Sequence, residues 1–260
     1  MLGAYRAWRR RRILGKHSLD PLLWQRVSSR YSYVARLNET DRRRLRDLCV
    51  LFLHEKQISP VNGFELDADM RLSIAVQACI LILNLGLDSY SDWVEVIVYP
   101  DEFMPRGEFR DEHGLVHTDP HAYAGQAWSR GPVILSWRSI ETGSRHDGGN
   151  VVIHEFAHKL DMLNGSADGY PMLHREMNRE TWARIFTHAY EDLRSRVVQG
   201  RERYLDEYAT ESPAEFFAVV SESFFEQPEL LLRHYPDIYD QLAQFYRQNP
   251  ANALPGVMFQ

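Results

Sequence analysis

Apolar residues recur at helical spacing through the first third of the chain. "DPLLWQRVSSRYSYVARLN" (20–38) and "ETDRRRLRDLCVLFLHEKQ" (39–57) both follow it. The second has Thr40 as an N-cap and Leu45, Leu48, Cys49, Phe52 and Leu53 as an inner stripe. "GFELDADMRLSIAVQACILILNLG" (63–86) is apolar nearly all round after Arg71, which marks a central helix, and Gly86 suits its C-terminal stop. The period then shortens. "WVEVIVYP" (93–100) alternates, is β-branched and ends at a proline, so it reads as a strand, and "GPVILSW" (131–137) reads as a second.

The stretch between them, "DEFMPRGEFRDEHGLVHTDPHAYAGQAW", is rich in turn formers and aromatics, and "RSIETGSRHDGGN" (138–150) reads as loop. Asn150 can cap a helix that begins "VVIHEFAHKLDMLNG" (151–165). A polar turn, "SADGYP", leads to a long helix expected from Met172 to Val198, and residues 212–250 read as two or three more helices. There is no internal repeat and no low-complexity segment. Helices, then a small mixed sheet, then helices predict a mostly helical α+β architecture.

Composition narrows the picture. The 260 residues are 44% hydrophobic and 25% charged, as in an ordinary globular protein with a real core. A domain over 18–248 is expected, a helical part (about 18–90) followed by the sheet and later helices (about 91–248). A basic tail, 1–17, and a C-terminal tail, 249–260, flank it. Two cysteines, Cys49 and Cys79, cannot form a disulfide framework and fit buried thiols in a reducing compartment. The longest apolar run, "IAVQACILILNLGL" (74–87), is too short to span a bilayer, and "RAWRRRRILGK" leads into no apolar secretory segment. A cytoplasmic protein without a membrane span is expected.

The charge is uneven. Residues 1–17 hold six Lys/Arg and no acid, which leaves 24 basic against 36 acidic residues, a formal −12, for the remainder. That acidic body argues against direct nucleic-acid binding. The basic segment reads as a solvated, partly frayed terminus, with contact to an acidic partner or a membrane surface as the alternative.

Chemistry concentrates in residues 151–165. His154 and His158 are four apart, so they project from one helix face and can share one metal ion. Glu155 lies about 100° round the helix, where it reaches a water on the metal without taking a ligand position. Val151, Val152, Ile153, Phe156, Ala157 and Leu160 make the rest of the helix apolar, and a buried His-Glu-His set without partners would be costly.

The third ligand is open on spacing alone. A third histidine six residues beyond His158 is ruled out, because Asn164 stands there. Glu176 and Glu180 lie at the distance of a thermolysin-type glutamate but in a heavily charged stretch, "HREMNRETW". Glu215, in "ESPAEFFAVVSESFF" (211–225), is the other candidate. Ser212, Pro213 and Glu215 also make a capping box with proline at the first helical position, so Glu215 is equally a cap.

"HEFAHKLD" joined to "YATESPAEFFAVVSESFF", with "AVQACILILNLG" and "VILSW" upstream, resembles the Mlc titration factor A family of bacterial zinc peptidases over roughly residues 20–248. The His-Glu-Phe-small-His helix and the downstream Ala-Glu-Phe-Phe-Ala are also similar to the catalytic domain of anthrax lethal factor. The resemblance implies a zincin-like metallopeptidase fold and one Zn2+ per chain, with His154, His158 and Glu215 as ligands and Glu155 as general base. Tyr208 matches a tyrosine that assists the chemistry, against the alternative of a packed core tyrosine. Asp161, one turn after His158, and Glu222, two turns beyond Glu215, are each placed to orient a ligand imidazole, with a surface carboxylate as the alternative. "GPVILSW" would be the edge along which a peptide lies extended.

The resemblance further implies aminopeptidase activity on a peptide substrate, and sequestration of the glucose-responsive DNA-binding repressor Mlc. A repressor-binding protein with a structural or vestigial zinc site is the alternative. Retention of Glu155 argues against it, because a closed structural site needs no base. His117 and His121 flank Pro120 and read as a loop, His54 lacks a second histidine, and "DRRRLRD" (41–47) reads as an exposed helix face.

Overall fold

The apolar segment after Arg71 forms the axis of the molecule, and every residue from Leu72 to Leu83 is buried. The computed structural model describes residues 2–61, 63–100, 109–110, 116–117, 131–143, 149–201 and 203–252. In chain order, helices α1 (Leu2–Leu14), α2 (Pro21–Ser28), α3 (Ser32–Ala35) and α4 (Glu39–Glu55) precede strand β1 (Gln57–Pro60) and the axial helix α5 (Ala68–Leu81). Then come β2 (Glu95–Tyr99), the short pair β3 (Phe109–Arg110) and β4 (Val116–His117), β5 (Val133–Ser136), α6 (Trp137–Gly143) and α7 (Val151–Asp161). The chain continues as α8 (Arg179–Val198), α9 (Pro213–Glu226), α10 (Pro228–His234) and α11 (Pro236–Tyr246). This is a mostly helical α+β protein. No described helix is long and apolar enough to cross a membrane.

β1, β2 and β5 make a parallel sheet in the order β1-β2-β5, with Gln57 opposite Glu95 and Val96 opposite Val133. Val96, Val98, Val133 and Leu135 turn one face inward, while β3 and β4 pair antiparallel on their own. α7 packs against β5, α5 and α9, and so becomes the central helix of the second half. Its Phe156 sits in an aromatic cage of Phe52, Tyr90 and Trp93, with centroids 5.2 to 5.8 Å away. On the other side α9 buries Phe216, Phe217, Phe224 and Phe225 against α8 and α11.

Several expectations change. α4 is capped by Asn38, whose side chain accepts from the Asp41 N–H at 2.9 Å, and not by Thr40. The helix expected from Met172 starts only at Arg179, where Asn178 caps it. Residues 138–143, expected as loop, are helical together with Trp137, expected as the end of a strand, and the strand at 57–60 begins where a helix end was expected. Residues 20–38 make two short helices, not one. The basic segment is not a frayed tail. It is the helix α1, fastened to α4 by buried Ile13 and by Arg10, which donates to Glu55 at 3.1 and 3.3 Å. His121 lies outside the described residues, as does the chain beyond 252.

Candidate metal centre

α7 begins where Asn150 accepts the Ile153 N–H at 2.9 Å, as its sequence position suggests. From there the helical repeat places His154 and His158 on the face turned to α9, with side chains 13% and 12% exposed. α9 begins with Pro213 behind the N-cap Ser212, whose hydroxyl accepts the Glu215 N–H at 3.2 Å. The Glu215 carboxylate does not return to the cap. It turns to the imidazoles, so the serine alone terminates the helix and the glutamate side chain is free for the site.

His154 Nε2 lies 2.8 Å from Glu215 Oε2, His158 Nε2 lies 3.3 Å from the same oxygen, and the two Nε2 atoms are 3.1 Å apart. Among the described residues these three form the one group of three or more donors that could hold a metal ion. Glu176 pairs at 3.7 Å with Arg247 and is exposed, and Glu180 stands exposed in the first turn of α8, so neither joins the cluster.

Both oxygens of Glu222, which is 6% exposed, are used. Oε1 accepts from His154 Nδ1 at 2.7 Å, and Oε2 accepts the Asn150 N–H. With Nδ1–H committed to Glu222, the Nε2 lone pair of a neutral His154 faces the lone pairs of Glu215. Two acceptors at 2.8 Å require a cation between them, either a proton or a metal ion. Burial opposes a charged His154, but hydrogen bonds to Glu215 and Glu222 override it and push its pKa up to about 10. Burial likewise works against an ionised Glu215, yet the two imidazoles hold its carboxyl far below the ordinary range.

The donor set fits one divalent ion. Ligands about 2.0–2.1 Å from a tetrahedral zinc stand about 3.3 Å from one another. The observed edges of 2.8, 3.1 and 3.3 Å describe that triangle slightly contracted. Two imidazoles and one carboxylate suit a borderline metal and leave a fourth position open.

Asp161 is fully buried and accepts the Gly169 N–H at 2.8 Å through Oδ2. It does not touch an imidazole. Its Oδ1 and the Nδ1 of His158, one helical turn apart, are both buried without a partner among the described residues. Burial pushes the Asp161 carboxyl up to about 6. Tyr208, in the single turn Glu207–Thr210, is 39% exposed, so it is no core tyrosine; its ring centroid lies 5.9 Å from that of His154. Burial and then the charges of Glu215, Glu211 and Glu155 raise its pKa, which keeps the hydroxyl protonated at neutral pH.

Two contributors escaped the sequence reading. Glu226, one turn beyond Glu222, accepts from Asn150 Nδ2 at 2.6 Å, so α9 grips the start of α7 twice. Its spacing of four from Glu222 was the available signal. Gly169 (φ +76°) lies so close to Pro213 that an added Cβ would stand 2.9 Å from the Pro213 carbonyl carbon and closer still to its oxygen. That approach seats the first turn of α9, and with it Glu215.

A pair of packed helices presenting a half-buried His-His-Glu triad, with a glutamate beside the first histidine, is the kind of centre a metallohydrolase uses. The chain belongs to the family described as glucose-regulated metallo-peptidase M90, whose model matches residues 5–247. It is 37% identical over 237 residues to the Mlc titration factor A of Cronobacter sakazakii, covering 90% of this chain and 88% of that protein. The protein of the same name from Escherichia fergusonii is 38% identical over 218 residues, 82% of each chain. That of Escherichia coli is 36% identical over 237 residues, 90% of this chain and 88% of the relative.

Proposed function

We propose that this metallopeptidase-family chain is a zinc-dependent aminopeptidase in which His154, His158 and Glu215 hold the metal and Glu155 is the general base. The observation that carries the reading is the convergence of three donor atoms within 2.8 to 3.3 Å of one another, two of them on the helix that also bears Glu155 and the third on α9. Zinc bound there supplies Lewis acidity, lowering the pKa of a water toward about 7 and polarising a peptide carbonyl.

The chain's own groups do the rest. Glu155 takes the proton of the attacking water on its carboxylate and passes it to the departing amine. The Tyr208 hydroxyl, kept protonated by burial and then by its carboxylate neighbours, donates a hydrogen bond to the developing oxyanion. Glu222 fixes the His154 tautomer through Nδ1. Asp161 stands one helical turn from His158, and a carboxylate oxygen and an imidazole nitrogen that each lack a partner among the described residues support its role in orienting that ring. β5, an edge strand of the sheet among the described residues, follows Gly131, whose carbonyl accepts from the Lys159 ammonium of α7 at 2.8 Å, and offers its backbone to an extended peptide.

A second reading is favoured by the relatives' name, Mlc titration factor A: the chain also binds an Mlc-type repressor in the cytoplasm. One experiment separates the readings. Zinc content, hydrolysis of an amino-acid anilide with a free or acetylated amine, and co-elution with Mlc are measured for wild type, Glu155→Gln and Glu215→Ala. The peptidase reading expects zinc in wild type and Glu155→Gln, turnover of the free-amine substrate by wild type alone, and no zinc in Glu215→Ala. Mlc co-elution that survives in Glu155→Gln makes the two activities separable. Wild type without zinc or turnover, yet bound to Mlc, would leave only the binding reading.

A further inference from the structure

Far from the metal centre, α1 carries an unusual surface. One side is fastened: Ile13 is buried, Arg10 pairs with Glu55 at 3.1 Å and with Asp88 at 2.9 Å, and Arg6 reaches Asp88 at 3.7 Å. Residues 3–9 are exposed all the way round. Tyr5, Trp8, Arg9 and Arg12 follow the i, i+3, i+4, i+7 spacing, which puts them on one stripe: Arg9 borders the side fastened through Ile13, Arg6 and Arg10, and Tyr5, Arg12 and Trp8 lie further round the helix from it. The side chains bear this out. Tyr5 and Trp8, 61% and 50% exposed, stack with centroids 6.0 Å apart, and the Arg12 guanidinium lies 5.6 Å from the Trp8 centroid.

The charge on this stripe is not internally neutralised. Arg9, Arg11, Arg12 and Lys16 form no ion pair among the described residues, whereas the acids nearest the helix, Glu55 and Asp88, already hold Arg10 and Arg6. Arg9 and Arg6 also line a cleft of about 220 Å³ between α1 and the end of α4, where Glu55 is the one acidic residue. The cleft has room for a phosphate-bearing headgroup.

We propose that α1 docks this protein on an anionic lipid surface, with Tyr5 and Trp8 among the headgroups and Arg9 and Arg12 against their phosphates. Exposed aromatics interleaved with arginines on one helix face match the chemistry of the bilayer interface, where amphipathic rings settle and cations meet anionic lipid. A projecting helix can lie on a plane while the body, formally −12 beyond residue 17, stays away from it. A nucleic acid would need a basic surface beyond one helix, whereas the body beyond residue 17 is formally −12.

The test is co-sedimentation of the full chain with vesicles of phosphatidylglycerol and phosphatidylethanolamine, against phosphatidylcholine alone. Binding to the anionic vesicles only, weakening as salt rises, is expected. Arg9→Gln with Arg12→Gln should weaken it about 25-fold, at about fivefold per cation. Trp8→Ala should weaken it several-fold and leave the salt dependence unchanged. These positions are exposed, and circular dichroism verifies the fold of each variant. Equal binding to phosphatidylcholine, or an arginine variant that binds as wild type, overturns the proposal. So does failure to bind vesicles while a single-stranded oligonucleotide or an acidic protein binds through the same arginines.

Discussion

Glu222 offers the sharpest test of the centre, because both of its oxygens have a stated task. Oε1 takes the Nδ1–H of His154 at 2.7 Å and Oε2 takes the Asn150 N–H. Glu222→Gln preserves shape but leaves one acceptor oxygen for two donors. Either Asn150 keeps it and the amide NH2 confronts His154 Nδ1–H, or His154 keeps it and the buried Asn150 N–H is orphaned. The first arrangement drives the ring to the tautomer with its proton on Nε2, the atom that must face the metal. Losing one charge-assisted hydrogen bond is worth about 1.5–3 kcal/mol. That corresponds to about 10–150-fold in metal affinity, in line with the roughly 10–100-fold typical of groups that orient a ligand imidazole.

The assay is competitive zinc titration against a chromogenic chelator, with Glu226→Gln as control. The Glu226 carboxylate hydrogen-bonds Asn150 Nδ2 among the described residues and no imidazole, and glutamine keeps its acceptor, so that variant should stay within about threefold of wild type. A Glu222→Gln affinity as close to wild type as the control would refute the orienting role. The metal-free protein gives a second readout with a definite sign. His154, raised from 6.5 to about 10, contributes stability that is fully present below pH 6.5 and lost as pH rises through about 10. The stability deficit of metal-free Glu222→Gln should therefore be largest below pH 6.5 and fade toward pH 10.

Three further outcomes are expected. Tyr208→Phe should lower kcat by about 100-fold or more with KM and zinc content near wild type; a kcat within about threefold would assign the ring to packing. Gly169→Ala should cost at least about 2 kcal/mol, from a left-handed backbone and the clash with the Pro213 carbonyl, and lower Tm by about 4–8 °C; an unchanged Tm would show that α9 is seated otherwise. For Asp161, raised from 3.8 to about 6 by burial, folding favours the protonated carboxyl, so metal-free stability falls as pH climbs from about 4 to 6, by up to about 3 kcal/mol. Asp161→Asn should remove most of that slope in urea titrations, and an identical slope in both proteins would contradict it.

What the sequence showed and what it withheld follow from the range of the forces involved. The caps at Asn150 and Ser212 and the face shared by His154 and His158 are consequences of bonds within one or two turns, and they stand in the structure as the spacing suggests. β1 was hidden because four residues ending in Pro60 have too few alternations to show a period, and its pairing partner, β2, lies some 38 residues away (Gln57 opposite Glu95). Glu215 was ambiguous for a physical reason: a capping box and a metal-ligand position demand the same residue at the same place. The two uses separate only because the backbone N–H satisfies the serine while the carboxylate points across to α7.

Glu222 was harder still to assign. Seven residues from Glu215, it stands about 10 Å further along α9, yet both carboxylates grip the same imidazole, at Nε2 and Nδ1. That is possible only because His154 enters between them from α7. Helical periodicity aligns the two acids on one face, but nothing in it says that a ring from another helix lies across that face. The crossing of α7 and α9 is a tertiary fact, held by the aromatic cage of Phe156 on one side and by the phenylalanines of α9 on the other. The orientation of His154 is thus set by packing many residues away from the chemistry. Substitutions that let the two helices slide should therefore weaken metal binding even where no donor atom has been changed.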